Sequence, residues 1–474
     1  MFPRPRAVRP PLLVAAACVA AVGVLVPIAV AGGDPSSVPQ GGGKSPSPAQ
    51  PVRAALPAGK INHILVVELE NEGFSSTWGP SSPATYLNGT LRQQGELIDN
   101  YYGTGHDSLD NYIAQVSGQS PTNMTKSDCS GSSSTVYVNV SPGTDDPNPA
   151  TNPGQVDGNG CVYPAPTASS HGAPTIADQL DAKYPPNPTT SVAQWREYAG
   201  DMGNTPSRDG GTPDPSGGTD CAHPVLGGAD GAEGATATDQ YANRHNPFIY
   251  FHSIMDNQAL CNANEVPLGA LQSNGTPAPT GHLVRDLSNP ATTPMFGFLT
   301  PNTCDDGHDD PCVGLNDDGT HAGGLVAADA FLQHWMPTIL NSPAYRSGSM
   351  LVVVTFDESE PSAGDPPAGS SCCYEQPGPN TVAPGDDSST DPTNSDPGGG
   401  KTGALLLDPR YIVPGSEDTT GSYNHYSALR SYEDLLGLTS GGTDGFGHLG
   451  FAAAPGLLPF GQDVFNRVEG FSPH

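Results

Sequence analysis

Two stretches of the chain pack apolar, largely β-branched residues into a short run and then stop on acids. HILVVELENEGF from His63 holds Ile64 to Val67 and continues to Glu70 and Asn71; MLVVVTFDESE from Met350 ends on Asp357 and Glu358. Compact apolar runs of this length predict buried strands, with the acids where each strand gives way to a loop. NPFIYFHSI from Asn246 and GALLLDPRYIV from Gly403 are read as two further strands. Between them, TIADQLDAKY from Thr175, AADAFLQHWMPTIL from Ala327 and YSALRSYEDLLGL from Tyr426 space their apolar residues by three and four, which predicts helices. Strands alternating with helices imply an α/β class with a largely parallel sheet covered on both faces. In such sheets ligands sit at the carboxyl ends of the strands, where Glu70, Asp357 and Glu358 are expected.

The polar remainder sets the boundaries. Residues 1–31 join Arg4, Arg6 and Arg9 to an apolar run from Pro11 and end on Ala29-Val30-Ala31, the plan of a signal peptide cleaved after Ala31, with an uncleaved membrane anchor as the alternative that the length of the run allows. Residues 32–55 are rich in Pro, Gly and Ser and predict a flexible tether, leaving 56–474 as one large domain. Stretches 121–168 and 200–238 are crowded with Gly, Pro, Ser, Asn and Asp and are read as surface loops. Cys18 leaves with the signal, and eight of the nine cysteines remain. An even number in an exported chain predicts disulfides: Cys304–Cys312 across a short loop, with Cys129–Cys161 and Cys221–Cys261 by proximity; adjacent Cys372 and Cys373 have no obvious partner.

With 18 Lys and Arg against 49 Asp and Glu, the formal charge is -31, which argues against nucleic acid as a partner. No long amphipathic segment announces membrane docking, so no stable membrane association is expected after cleavage, and the chain is read as secreted or held in the cell envelope. Oligomeric state is left open.

The chemistry gathers in GTGHDSLDNYIAQV from Gly103. A helix starting near Ser108 would set that serine at a helix N-terminus, where free N–H groups attract a phosphate, with Asn111 one turn on as an amide donor. A serine there is by itself more often only a cap. Glu70-Asn71, Asp357-Glu358, CDDGHDD from Cys304 and YNHYS from Tyr423 add oxygen and imidazole ligands suited to a divalent metal ion, whether Zn, Ca, Mg, Mn or Fe. No G-x-S-x-G elbow, Walker loop or C/S-x-P-x-R sulfatase context is present. Gly398-Gly399-Gly400 before Lys401 is read as a flexible turn near the site.

Taken in order, HILVVELENEGF, HDSLDNYIAQVSGQSP, CDDGHDD, VVVTFDESE, CCYEQPGPNT, GGGKTGALLLDPRYIVPG and YNHYSALRSYEDLLGL resemble the phosphoesterase family of bacterial phospholipases C and acid phosphatases, within the alkaline phosphatase-like superfamily. The likeness runs from about Ile61 to Gly437. It implies a three-layer α/β/α sandwich in which Glu70 holds metal, Asn71 lies near metal and phosphate, Ser108 is the nucleophile with His106 and Asn111 around it, and Asp357 and Glu358 are metal ligands. His308, with Asp306 beside it, and His425 would hold phosphate or a second metal. The implied activity is hydrolysis of a phosphoester through a phosphoserine: a monoester in the acid phosphatase manner, or alternatively a phospholipid or other diester. A non-catalytic cation-binding surface protein on the same fold is the rival. Two residues depart from the family's pattern: Glu68 replaces an apolar residue, and Asp110 replaces a proline and is expected to add negative charge beside an anionic substrate.

Overall fold

The computed structural model describes residues 53–129, 137–145, 152, 154–167, 172–185, 193–229, 235–360, 364–367, 369–385 and 398–467. The signal, most of the tether and Asp386-Asp387 lie outside these residues.

An eight-stranded sheet organises the domain. In chain order its strands are β1 (His63–Leu69), β2 (Glu96–Ile98), β3 (Trp195–Ala199), β4 (Glu265–Pro267), β5 (Phe296–Thr300), β6 (Met350–Phe356), β7 (Ala404–Leu407) and β8 (Ser416–Asp418). Across the sheet they run β8-β2-β7-β6-β1-β5-β3-β4. Every pairing is parallel except those of β7, which runs against both β6 and β2. The sheet is therefore mixed and mostly parallel.

Both faces are covered, because each central strand sends alternate residues to opposite sides. On one face Ile64, Val66, Leu351, Val353, Phe296 and Phe298 pack under α1 (Ser108–Ser117), α2 (Ile176–Lys183) and α4 (His425–Leu436). On the other, Leu65, Val67, Val352, Val354 and Leu299 pack under α3 (Gly324–Leu340). The α/β/α layering expected from the sequence is the observed one. Thr175 and Asp178 close a capping box at the start of α2. Gly118 ends α1 at φ 67°, a left-handed conformation that a glycine takes without steric cost.

Four expectations are corrected. Asn246 does not open a strand: Asn243–His245 and Pro247–Tyr250 form 3-10 turns and His252–Met255 a short helix. Pro247 supplies no N–H to a ladder, and Phe248, Ile249, Tyr250 and Phe251 are buried on all sides, which gives a strand-like composition without a strand. The stretch 121–168 is not only surface: Cys129, Tyr137, Val162 and Tyr163 join the core beneath α1. In the stretch 200–238, Met202 and Ala222 pack with Ala199 and Tyr241 in a core of their own. The Gly399 turn is pinned by backbone bonds, Gly103 N to Gly400 O at 2.9 Å and Ser359 N to Gly399 O at 2.8 Å.

Disulfides join Cys129 to Cys161, Cys221 to Cys261, Cys304 to Cys312, and the neighbours Cys372 and Cys373 to each other. Among the described residues no helix is long and apolar enough to cross a membrane.

Arg53 pairs with Asp434 of α4, while Ala54 N donates to Asp434 Oδ2 at 2.8 Å. Buried His448 lies between Asp434 (3.1 Å) and Asp444 (2.6 Å). Burial opposes its proton, but the two carboxylates prevail and raise its pKa from 6.5 to about 9. A raised folded-state pKa gives stability that is complete below 6.5 and lost as pH climbs through about 9. The melting temperature of the protein is therefore expected to fall across that interval more steeply than that of His448→Gln, as differential scanning fluorimetry on the two proteins would show.

Candidate active site

Register builds the centre of the site. Leu69 of β1 lies opposite Phe356 of β6, so the next residues, Glu70 and Asp357, emerge together from the carboxyl edge. Asp357 N donates to Leu69 O at 3.0 Å, and Asn71 N donates to Asp357 Oδ1 at 3.0 Å. Glu70 N donates to Asp306 O at 2.9 Å, which brings the loop after β5 to the same edge.

Ser108 is the first residue of α1 and Asp107 is its N-cap, whose side chain makes no cap bond. Ser108, 2 % exposed, donates its Oγ to Glu70 Oε2 at 2.8 Å. Tyr112, one turn on, donates its hydroxyl to Glu70 Oε1. The first turn of α1 thus holds both oxygens of Glu70.

The acids are crowded. Burial, Asp357 and Asp306 push Glu70 well above the usual carboxylate range, and burial with Glu358 raises Asp357 to about 8. Asp306 is raised to about 7, chiefly by burial. Three fully buried carboxylates cost several kcal/mol as anions unless a cation is shared among them. Glu70, Asp357 and Glu358 with the Asn71 amide and the Ser108 hydroxyl are donors of the hard-oxygen type a divalent cation prefers, whereas among the described residues the acids and imidazole whose ligand atoms lie within 4.8 Å of one another are Asp214, Asp220 and His282.

The other residues expected here divide. His106 pairs with Glu358. His308 stands at the rim, its side chain 32 % exposed, with Nδ1 2.8 Å from Asp309 Oδ1; that hydrogen bond raises its pKa. Asn111 is fully buried and spends its amide on the preceding loop, accepting from Thr104 N and Gly105 N and donating to Gly105 O and Asp107 O. It shapes the approach to Ser108. His425 lies behind the strand ends: Nδ1 meets the Tyr101 hydroxyl at 3.1 Å and Nε2 donates to the Asp357 carbonyl at 2.6 Å. Burial lowers its pKa to about 4. Asp110 turns its carboxylate against Gly105, where a methyl group would come within 2.4 Å of Oδ2.

Sequence reasoning missed Arg244 and His245. His245 lies 3.3 Å from Glu70 Oε1 and 3.4 Å from Asp306 Oδ2, stacked on Tyr112. Arg244 pairs with Asp128 at 3.3 Å, and its charge also eases Glu70 and Asp306. The signal was a basic pair directly before an apolar run, in a segment read as the start of a strand.

No family model and no curated protein matches the chain. Among solved structures it is similar to a protein in the alkaline phosphatase superfamily from Vibrio parahaemolyticus, at 14 % identity and TM-score 0.38 over 82 % of this chain and 69 % of that one. It is also similar to the phosphonate monoester hydrolase of Agrobacterium radiobacter, at 11 % and 0.38 over 87 % and 79 %. A lipoteichoic acid synthase from Listeria monocytogenes matches at 11 % and 0.39 over 85 % and 76 %.

The two bonds of His425 make it a brace for Asp357. His425→Gln, which can still donate to the Asp357 carbonyl, is expected to melt closer to wild type than His425→Ala. Thermal unfolding of both variants checks this.

Proposed function

We propose that the chain is a secreted, metal-dependent phosphoester hydrolase of the acid phosphatase type, acting through a phosphoserine at Ser108. The observation that carries the reading is the Ser108 hydroxyl bonded to Glu70 Oε2 at 2.8 Å at the N-terminus of a buried helix. The family resemblance of the sequence supports the same residues. Export is supported by the signal-like start of the chain and by the disulfides.

Glu70, Asp357 and Glu358, with Asn71, would hold the metal. When bound it would screen phosphate charge and lower the pKa of the serine hydroxyl. Ser108, oriented by its hydrogen bond to Glu70, loses its proton to solvent and attacks phosphorus as the bond to the leaving oxygen breaks, and the N-terminal amides of α1 stabilise the charge on the phosphoryl oxygens. Arg244 adds positive charge beside Glu70, while His245, whose pKa burial and the Arg244 charge push well down, stands there as an imidazole. His308, the more exposed imidazole and already tied to Asp309, is the group suited to protonate the leaving oxygen. Water then hydrolyses the phosphoserine and restores Ser108.

The test is hydrolysis of p-nitrophenyl phosphate, its bis-ester and p-nitrophenyl sulfate, with and without chelator. The monoester is expected to turn over fastest, and chelation to abolish turnover. Preference for the bis-ester would favour the phospholipase C or phosphodiesterase alternative, preference for the sulfate would overturn the phosphoester assignment, and inertness with every metal would favour the cation-binding rival. Ser108→Ala is expected to lower kcat by about 10³-fold or more and to form no phosphoryl-enzyme on acid quench with labelled substrate. An unchanged turnover would remove Ser108 as the nucleophile.

A further inference from the structure

The bond between Cys372 and Cys373 is not a staple of the fold. Cys129–Cys161, Cys221–Cys261 and Cys304–Cys312 join residues 32, 40 and 8 apart in sequence, and each such cross-link restricts a loop of the unfolded chain. Cys372 and Cys373 are neighbours, so their bond closes no loop and gives no stability of that kind. It holds the two Cα atoms 3.8 Å apart, below the roughly 4.4–6.8 Å that most disulfides adopt. Cys373 and Tyr374 follow one another at φ 66° and 62°, a left-handed conformation that residues with a Cβ take at a cost.

Access separates the pairs as well. The cysteines of the other three disulfides are buried, none of them more than 3 % exposed. Cys372 and Cys373 are partly exposed, and Tyr374 beside them is 69 % exposed. Exchange requires a thiolate to reach a sulfur, and strained, accessible disulfides are the labile ones.

The pair sits where a change in it is felt. Two residues before Cys372, Ser370 O accepts from Gly400 N at 3.1 Å, and Gly400 O accepts from Gly103 N at 2.9 Å, at the start of the loop that leads to Ser108. Ser371 presses on Gly398, where a Cβ would come within 2.6 Å of the Ser371 Cα. The Cys372 sulfur lies 3.3 Å from Tyr423 O, just before α4, and Cys373 packs against the small core of Ala114, Tyr426 and Phe451.

We propose that Cys372–Cys373 is a thiol–disulfide exchange site for a dithiol reductant, and that the closed bond keeps the Gly399-Gly400 turn against the loop before Ser108. One thiolate of the reductant attacks a sulfur of the pair, the Cys372–Cys373 bond breaks, and a mixed disulfide forms. The second thiolate then displaces the cysteine sulfur. The reductant leaves as a disulfide, and its two electrons and two protons remain on Cys372 and Cys373 as thiols. With the bond open, Cys373 and Tyr374 are free to leave the left-handed region, and the Ser370–Gly400–Gly103 contacts loosen. The site stands whether or not the chain is a phosphatase.

The test titrates the folded full chain with dithiothreitol, traps thiols with iodoacetamide and locates them by peptide mass spectrometry. Cys372 and Cys373 are expected to be alkylated together at a reductant concentration at least about tenfold below that which opens the other three disulfides. Amide hydrogen exchange at Gly103 and Gly400 is expected to quicken in this selectively reduced protein and to slow again on reoxidation. The double variant Cys372→Ser with Cys373→Ser should exchange there as the reduced protein does and not respond to dithiothreitol. A pair that opens no sooner than Cys304–Cys312 would overturn the exchange site. Unchanged exchange at Gly103 and Gly400 after selective reduction would overturn the hold on the Ser108 loop. Both outcomes are read from wild type, so they decide the matter even if the variant does not fold.

Discussion

Glu70 and Asp357 are neighbours because β1 and β6 pair in register to their last residues, and this forced proximity of two buried anions organises the edge of the sheet. Repulsion between them cannot be relieved by solvent, since both are fully buried. The surrounding groups are disposed to absorb it: Ser108 and Tyr112 donate to Glu70, Asn71 N donates to Asp357, and Arg244 and His245 approach from a segment distant in sequence. Helix α1 is docked through the same contacts. Its first turn must lie over β1 for the hydroxyls to reach Glu70, and its apolar residues Leu109, Ile113 and Val116 then enter the core of that face. Packing and electrostatics thus fix one position for the serine.

The parts legible in the sequence were those with a strong local signature. The runs at Ile64 and Met350 are strands because apolar residues fill both faces, and the acids that end them mark the carboxyl edge. Helices α2, α3 and α4 follow their spacing. Strands β3 and β4, the last two on one side of the sheet, escaped because charge interrupts them: Arg196 and Glu197 in one, Glu265 in the other, with Glu197 and Glu265 directly opposed. Composition alone assigns such segments to loops, and only burial beneath neighbouring elements reveals them.

Within the site, residues on strand ends and at the helix start could be inferred from one sequence, since their placement follows from the element that carries them. Roles that depend on which way a side chain turns could not. Asn111 and His425 have the chemistry of catalytic groups, yet one serves the loop before Ser108 and the other the backbone of Asp357. Arg244 and His245 arrive from a 3-10 turn that no periodicity announces, held by the burial of Phe248 and Tyr250 beneath the sheet.

The reversed strand β7 has a geometric corollary. A strand that runs against its neighbours begins where they finish, so the chain leading into it must arrive from over the carboxyl edge. That is the course of the segment before Lys401, whose Gly399 and Gly400 meet Gly103 and Ser359 beside Ser108. Insertions there can lengthen or shorten without shifting any strand, because the ladder on either side of β7 is already closed. One inverted strand thereby carries the Gly399-Gly400 turn to the same edge as the acids and the serine.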